Sequence, residues 1–131
     1  MMLLDSNIVI YAAQPENAFI RDMMLDRSVS VSVITKLGVL GYHRLTSAEQ
    51  DMFQGVFDVI HQIPVTPPII ELAIALRQQR KMGLADSLIA ATALKQAVPL
   101  LTRNISDFAW IQNLDVINPF DDQAVESEAP A

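Results

Sequence analysis

The sequence predicts an α/β protein: a parallel sheet covered by helices on both faces. Three observations carry this. Short apolar or β-branched runs alternate with longer stretches of helical periodicity along most of the chain. Their order is β-α-β-α-α-β-α-α-β-α-β, the pattern of parallel strands joined by crossover helices. The 131 residues are 51% apolar and only 18% charged, which builds one domain rather than two and argues against a solvated, disordered chain.

Residues 2–4 run apolar into Asp5 and suit a buried strand; Ile8-Val9-Ile10-Tyr11 suits a turn into a short helix. Residues 29–33, Val-Ser-Val-Ser-Val, alternate with period two and are β-branched, so they read as the second strand. At Ile34-Thr35 the period changes, and Ile34, Leu37, Leu40 and Tyr42 suit a helix with Ser32 or Thr35 near its start. Ser47-Ala48-Glu49-Gln50 opens another, where Ser47 and Gln50 fit a capping box and Met52, Phe53, Val56, Phe57 and Ile60 form the apolar stripe. Gln62-Ile63-Pro64-Val65 is a short strand. Pro67-Pro68 starts a helix that Met82-Gly83 ends. Asp86 is predicted at the N-cap of an Ala- and Leu-rich helix over roughly 87–97. Residues 98–102 form a strand, 103–110 a loop with a short helical turn, and 114–117 the last strand. The domain spans 1–120. The tail over 121–131 is small, acidic and aperiodic, and is expected to be disordered.

Composition narrows the chemistry. There is no Cys, which excludes disulfides, a thiol nucleophile and a Cys-ligated zinc. The two His, His43 and His61, are far apart and read as surface or edge residues, so a His-x-x-x-His zinc motif is excluded. No apolar run is long enough to span a membrane. The N-terminus lacks a basic start and a cleavage signal, so a cytoplasmic location is expected. The net charge of −6 argues against broad phosphate-backbone binding; taking away the four acids after residue 120 leaves −2 for the domain.

In a parallel sheet, ligands sit at the carboxyl ends of the strands. Asp5 follows the first strand, Asn104 and Asp107 follow the strand ending at Thr102, and Asp86 lies at a helix start between them. Converging carboxylates repel one another, and a divalent cation is the usual compensation. Oxygen ligands without His or Cys select Mg²⁺ or Mn²⁺. Such an ion can polarise a phosphate, activate a water and steady a leaving oxygen, which is the chemistry of phosphodiester hydrolysis. Each residue also has a plainer role open to it: strand-end acid for Asp5, helix cap for Asp86, turn cap for Asp107.

Four segments resemble the sequence blocks of PIN-domain ribonucleases, closest to the VapC-type toxins of bacterial toxin–antitoxin pairs. They are residues 3–11 (LLDSNIVIY), 32–42 (SVITKLGVLGY), 84–93 (LADSLIAATA) and 101–108 (LTRNISDF), in the family order, and the similarity covers 2–120. The resemblance implies a Rossmann-like three-layer α/β/α fold with a central, mostly parallel sheet. It implies an endoribonuclease dependent on Mg²⁺ or Mn²⁺, and inhibition by a small antitoxin protein. Asp5 matches the first metal-binding acid and Asp86 the acid before the Ala-rich helix, and Asp107 or Asn104 completes the site. Asn7, Thr35 and Thr102 are supporting positions, and Arg103 is a possible RNA contact. A homodimer is expected, with operator DNA bound only through the antitoxin.

The second block departs from the family. Three residues after Thr35, where the pattern has Glu, stands Gly38, and no neighbouring acid replaces it. Gly inside a helix also costs about 1 kcal/mol relative to Ala. Weakened metal binding and impaired cleavage are expected. A binding module is therefore the rival: an apolar groove near Ile8–Tyr11 and Thr35–Tyr42 that receives an amphipathic helix of the antitoxin. A small-molecule phosphate-ester hydrolase is a third class, without a phosphate-binding loop in a chain of only four Gly.

Overall fold

The computed structural model describes residues 1–26 and 28–121. Five strands, β1 (Met2–Leu4), β2 (Val29–Ser32), β3 (His61–Ile63), β4 (Leu100–Leu101) and β5 (Val116–Ile117), form one sheet in the order β3-β2-β1-β4-β5. Every neighbouring pair is parallel; Leu3 faces Ser30 on one side and Leu100 on the other. The chain lays β2 and β3 to one side of β1, then returns to place β4 and β5 on the other. The strand order therefore reverses between β1 and β4, and such a switch point opens a crevice at the strands' carboxyl ends.

The short strands are apolar on both faces because both faces are covered. Successive residues point to opposite sides. Leu3 and Leu100 join one core with Ile69, Ala73, Leu76 and Ile89; Leu4 and Leu101 join the other with Ile8, Val9, Val39 and Phe53. The first core is roofed by α5 (Pro67–Gln79), α6 (Leu84–Gln96) and α7 (Ile105–Phe108). The second is roofed by α1 (Ser6–Ala12), α2 (Ala18–Asp26), α3 (Val33–Leu40) and α4 (Ser47–Val59). The result is the three-layer α/β/α architecture, with a sheet that is parallel throughout.

Several boundaries differ from the sequence-based expectation. Residues 13–28, where no element is expected, carry a 3₁₀ turn at Pro15–Asn17 and then α2. Val33 opens α3 instead of ending β2, because the Ser32 side chain caps the helix by accepting from the Ile34 N–H at 3.2 Å. The capping box of α4 is Thr46 with Glu49, one residue before the expected Ser47 and Gln50. Helix α5 ends at Gln79, before Met82-Gly83, and strands β3, β4 and β5 are shorter than expected. From residue 122 onward, the expected acidic tail lies outside the described residues. Among the described residues, no helix is long and apolar enough to cross a membrane.

Candidate functional site

Asp5 is the first residue past β1, at the switch point, and is only 4% exposed. Its backbone N–H still pairs with β4, donating to the Leu101 carbonyl at 2.9 Å, so the sheet ladder fixes where the carboxyl group begins. The carboxylate caps α1: Oδ1 accepts from the Ser6 N–H at 2.8 Å. Oδ2 accepts from the Thr102 hydroxyl at 2.7 Å, across the switch point from the end of β4. Thr102 Oγ1 in turn accepts from the Asn104 N–H at 3.0 Å, so one buried hydroxyl orients the acid and shapes the turn after β4.

Burial raises the Asp5 pKa above the ordinary carboxylate range. The Thr102 and Ser6 donors oppose that shift, and the charge of Asp107 adds to it. Asp86 is also raised, first by burial and then by the charges of Asp5 and Asp107. Three acids from separate parts of the chain thus share one electrostatic neighbourhood. Contrary to the expectation from sequence, Asp86 does not cap α6. Gly83 is the cap residue, and Asp86 sits in the first turn, half-buried, near the positive end of the helix. The physical reason is that α6 begins at Leu84, one turn's worth of chain earlier than its Ala-rich run suggests.

The other predicted positions fall as follows. Asp107 is exposed in α7, and its charge reaches both Asp5 and Asp86. Asn104 is exposed at the N-cap position of α7, without a side-chain cap bond. Thr35 is fully buried in the first turn of α3 and accepts from the Ser6 hydroxyl at 3.1 Å, which ties α3 to the residue after Asp5. Asn7 is half-buried in α1. Gly38 is exposed one turn beyond Thr35, and a Cβ there would meet nothing within 4 Å. Arg103 is seated on aromatic rings: its guanidinium lies 4.2 Å from the Phe120 centroid and 5.0 Å from that of Tyr11. His43 and His61 are exposed.

Ser6 and Trp110 stand out in the structure and not in the sequence. Ser6 serves twice, with its N–H on Asp5 and its hydroxyl on Thr35. Trp110 donates its indole N–H to the Asp107 carbonyl at 2.9 Å. An i, i+3 spacing after a short helical turn was the available signal.

The donor set is hard oxygen throughout, the chemistry that suits Mg²⁺ or Mn²⁺. Both Asp5 oxygens keep a lone pair beyond the one used by Ser6 or Thr102. The acids fit such an ion in kind but fall short in number. Among the described residues, no group of three or more His, Cys, Asp or Glu side chains is close enough to hold a metal. A carboxylate at position 38 would enter open space.

Two cavities are lined by none of these three acids. One, of about 670 Å³, runs between α1, α3 and α4 and is lined by Ile10, Gly38, Val39, Tyr42, Leu45 and Met52 among others. A smaller apolar one, of about 140 Å³, adjoins it between α1, α2 and α4, with Met52 and Phe53 common to both. A third, of about 520 Å³, lies between α5, α6 and the end of α7 and includes Asp86 and Asp107.

The PIN domain family model matches residues 2–111. Comparison with curated proteins gives no match. Among solved structures, the chain is similar to a toxin–antitoxin complex from Klebsiella pneumoniae, at 29% identity and a TM-score of 0.74, covering 91% of this chain and 98% of that one. It is also similar to VapBC2 from Rickettsia felis bound to a promoter DNA fragment, at 21% identity and 0.71, covering 89% and 97%. FitAcB from Neisseria gonorrhoeae gives 23% identity and 0.71, covering 92% and 99%. The last two likenesses are of fold.

Proposed function

The chain belongs to the PIN-domain family, and from that premise we propose that it is the toxin of a type II toxin–antitoxin pair. Its site is that of a Mg²⁺- or Mn²⁺-dependent endoribonuclease, weakened because Gly38 stands where the family pattern has Glu. The observation that carries this reading is the buried Asp5 carboxylate at the switch point, with the charges of Asp86 and Asp107 acting in the same neighbourhood. Buried acids kept together without a partner cation cost stability, and function is the common reason to keep them.

Asp5 and Asp86 would hold the metal; Asp107, whose charge reaches both but which does not form a ligating group of three with them, or the neutral Asn104 would complete the site. When bound, the ion supplies charge neutralisation and Lewis-acid polarisation of the scissile phosphate. The residues of the chain supply the rest. Thr102 and Ser6 fix the Asp5 carboxyl in direction and favour its ionised form. Thr35 anchors α3 through Ser6, and so sets where position 38 stands. The missing carboxylate removes one negative charge, which lowers cation affinity and leaves RNA more weakly compensated at the acids.

The partner is a small antitoxin, with operator DNA reached through it, and the assembled toxin is a cytoplasmic homodimer. The K. pneumoniae neighbour is a toxin–antitoxin complex, which supports that partner. The groove of about 670 Å³ between α1, α3 and α4 also favours a second reading, a module that binds the antitoxin and cuts weakly or not at all. Exposed Ile10, Tyr42 and Met52 line it, and Gly38 leaves its floor open.

Calorimetric titration with Mn²⁺, run beside an RNA cleavage assay on this chain and on Gly38→Glu, decides between them. The nuclease reading expects the variant to bind Mn²⁺ at least about ten-fold more tightly, the worth of one added favourable ion contact of ~1.4 kcal/mol, and to cut RNA only with metal. Equal binding and no cleavage in either protein would leave the binding module.

A further inference from the structure

We propose that the cavity between α5, α6 and the end of α7 is a subsite for one unstacked nucleotide of single-stranded RNA. The paired Trp110 and Arg80 form its stacking surface, and Arg77 and Lys81 contact the flanking phosphates. This rests on the endoribonuclease reading and adds the residues that would hold a nucleotide beside the acids.

The cavity, of about 520 Å³, has an acidic wall, Asp86 and Asp107, and a basic wall, Arg77, Arg80 and Lys81. Three of the nine basic residues of a chain with net charge −6 fall within positions 77–81, which contain no acid. All three are exposed. This is where a phosphate chain beside the acids meets compensating charge. The two flat groups of the cavity are already neighbours, with the Arg80 guanidinium over the Trp110 ring at 5.5 Å from its centre. The Trp110 N–H bond to the Asp107 carbonyl fixes the indole relative to an acid of the site. Arg77 Nε donates to the Met82 carbonyl at 3.1 Å and braces the α5–α6 turn that carries Lys81.

Indole and guanidinium planes accept any base face-on, so they favour unpaired bases without choosing a sequence. A base held in a duplex cannot reach them. An anionic peptide would use the cations and leave the indole idle.

Trp110 is the only Trp, so intrinsic indole fluorescence reports on this site alone. Metal-free protein titrated with a single-stranded RNA hexamer is expected to show saturable quenching, and the same sequence as a duplex little or none. Trp110→Phe and Arg80→Ala, with folding checked by circular dichroism, are expected to weaken binding of labelled hexamer about ten-fold, the order of one base stack. Lys95→Ala, at the far end of α6, should not. Hexamer binding without quenching, or unaffected by Arg80→Ala, would overturn the subsite, as would equal quenching by an acidic peptide. Failure of the nuclease reading looks different: quenching by RNA persists while Gly38→Glu cuts nothing. Cleavage by Gly38→Glu with a KM unmoved by Arg80→Ala would retire the subsite alone.

Discussion

Two neutral donors, the Ser6 N–H and the Thr102 hydroxyl, favour the charged form of Asp5, against burial that favours the protonated form. Thr102→Val keeps the shape and removes the hydroxyl. It should cost about 1–3 kcal/mol at neutral pH, the range for leaving a buried polar group without its partner. The loss should shrink at acid pH, below the raised pKa of Asp5, where the protonated group needs the donor less. Urea unfolding at the two pH values measures both; an equal loss at each would mean that Thr102 serves only the turn at Asn104. At this scale the sequence shows Asp5, Asp86 and Asp107 as acids beside predicted strand ends and a helix start. It does not show that Thr102 bonds Asp5 across 97 positions of chain, because that contact exists only once β1 and β4 are neighbours.

Helix α3 carries two glycines with opposite roles. At Gly38 a Cβ meets only open space, so Gly38→Ala should stabilise the fold by about 0.5–1 kcal/mol through backbone entropy alone. At Gly41, the C-cap, a Cβ would lie 2.5 Å from the Leu37 carbonyl oxygen, so Gly41→Ala should destabilise. Thermal unfolding of the pair checks the signs, and Gly38→Ala also separates helix propensity from the added carboxylate in Gly38→Glu. At α4, Thr46→Ala should cost ~1 kcal/mol and Ser47→Ala little, since Thr46 holds the capping box. The sequence offers both registers, Thr46 with Glu49 and Ser47 with Gln50. The structure takes the one whose returning side chain is a carboxylate, the stronger acceptor for the cap N–H. Helix α2 escaped prediction for a related reason: its apolar residues become a face only when packed beside α1.

Across the whole molecule, the acids couple stability to pH and, on the proposed reading, to metal. Asp5 and Asp86 have pKa values raised above the ordinary ~3.9. The native state therefore binds more protons than the unfolded chain just above that value. Metal-free stability should fall as pH rises through the interval between the ordinary and raised values, then level off. A cation that binds the ionised acids reverses the trend, so the rise in Tm on adding Mn²⁺ should grow as pH rises through the raised pKa values. A Tm shift independent of pH would place the ion elsewhere. By itself, the sequence determined the α/β class, the alternation of strands and helices, the absence of Cys- and His-based chemistry, and the residue types available for a hard cation. Those follow from local periodicity and composition, which need no partner segment. Only the tertiary structure decided the reversal of strand order between β1 and β4, the bond from Thr102 to Asp5, the place of Asp86 within the first turn of α6, and the meeting of Arg80 with Trp110. Each joins residues brought together by packing across the sheet, or by a helix start that packing moves, and no spacing along the chain encodes either.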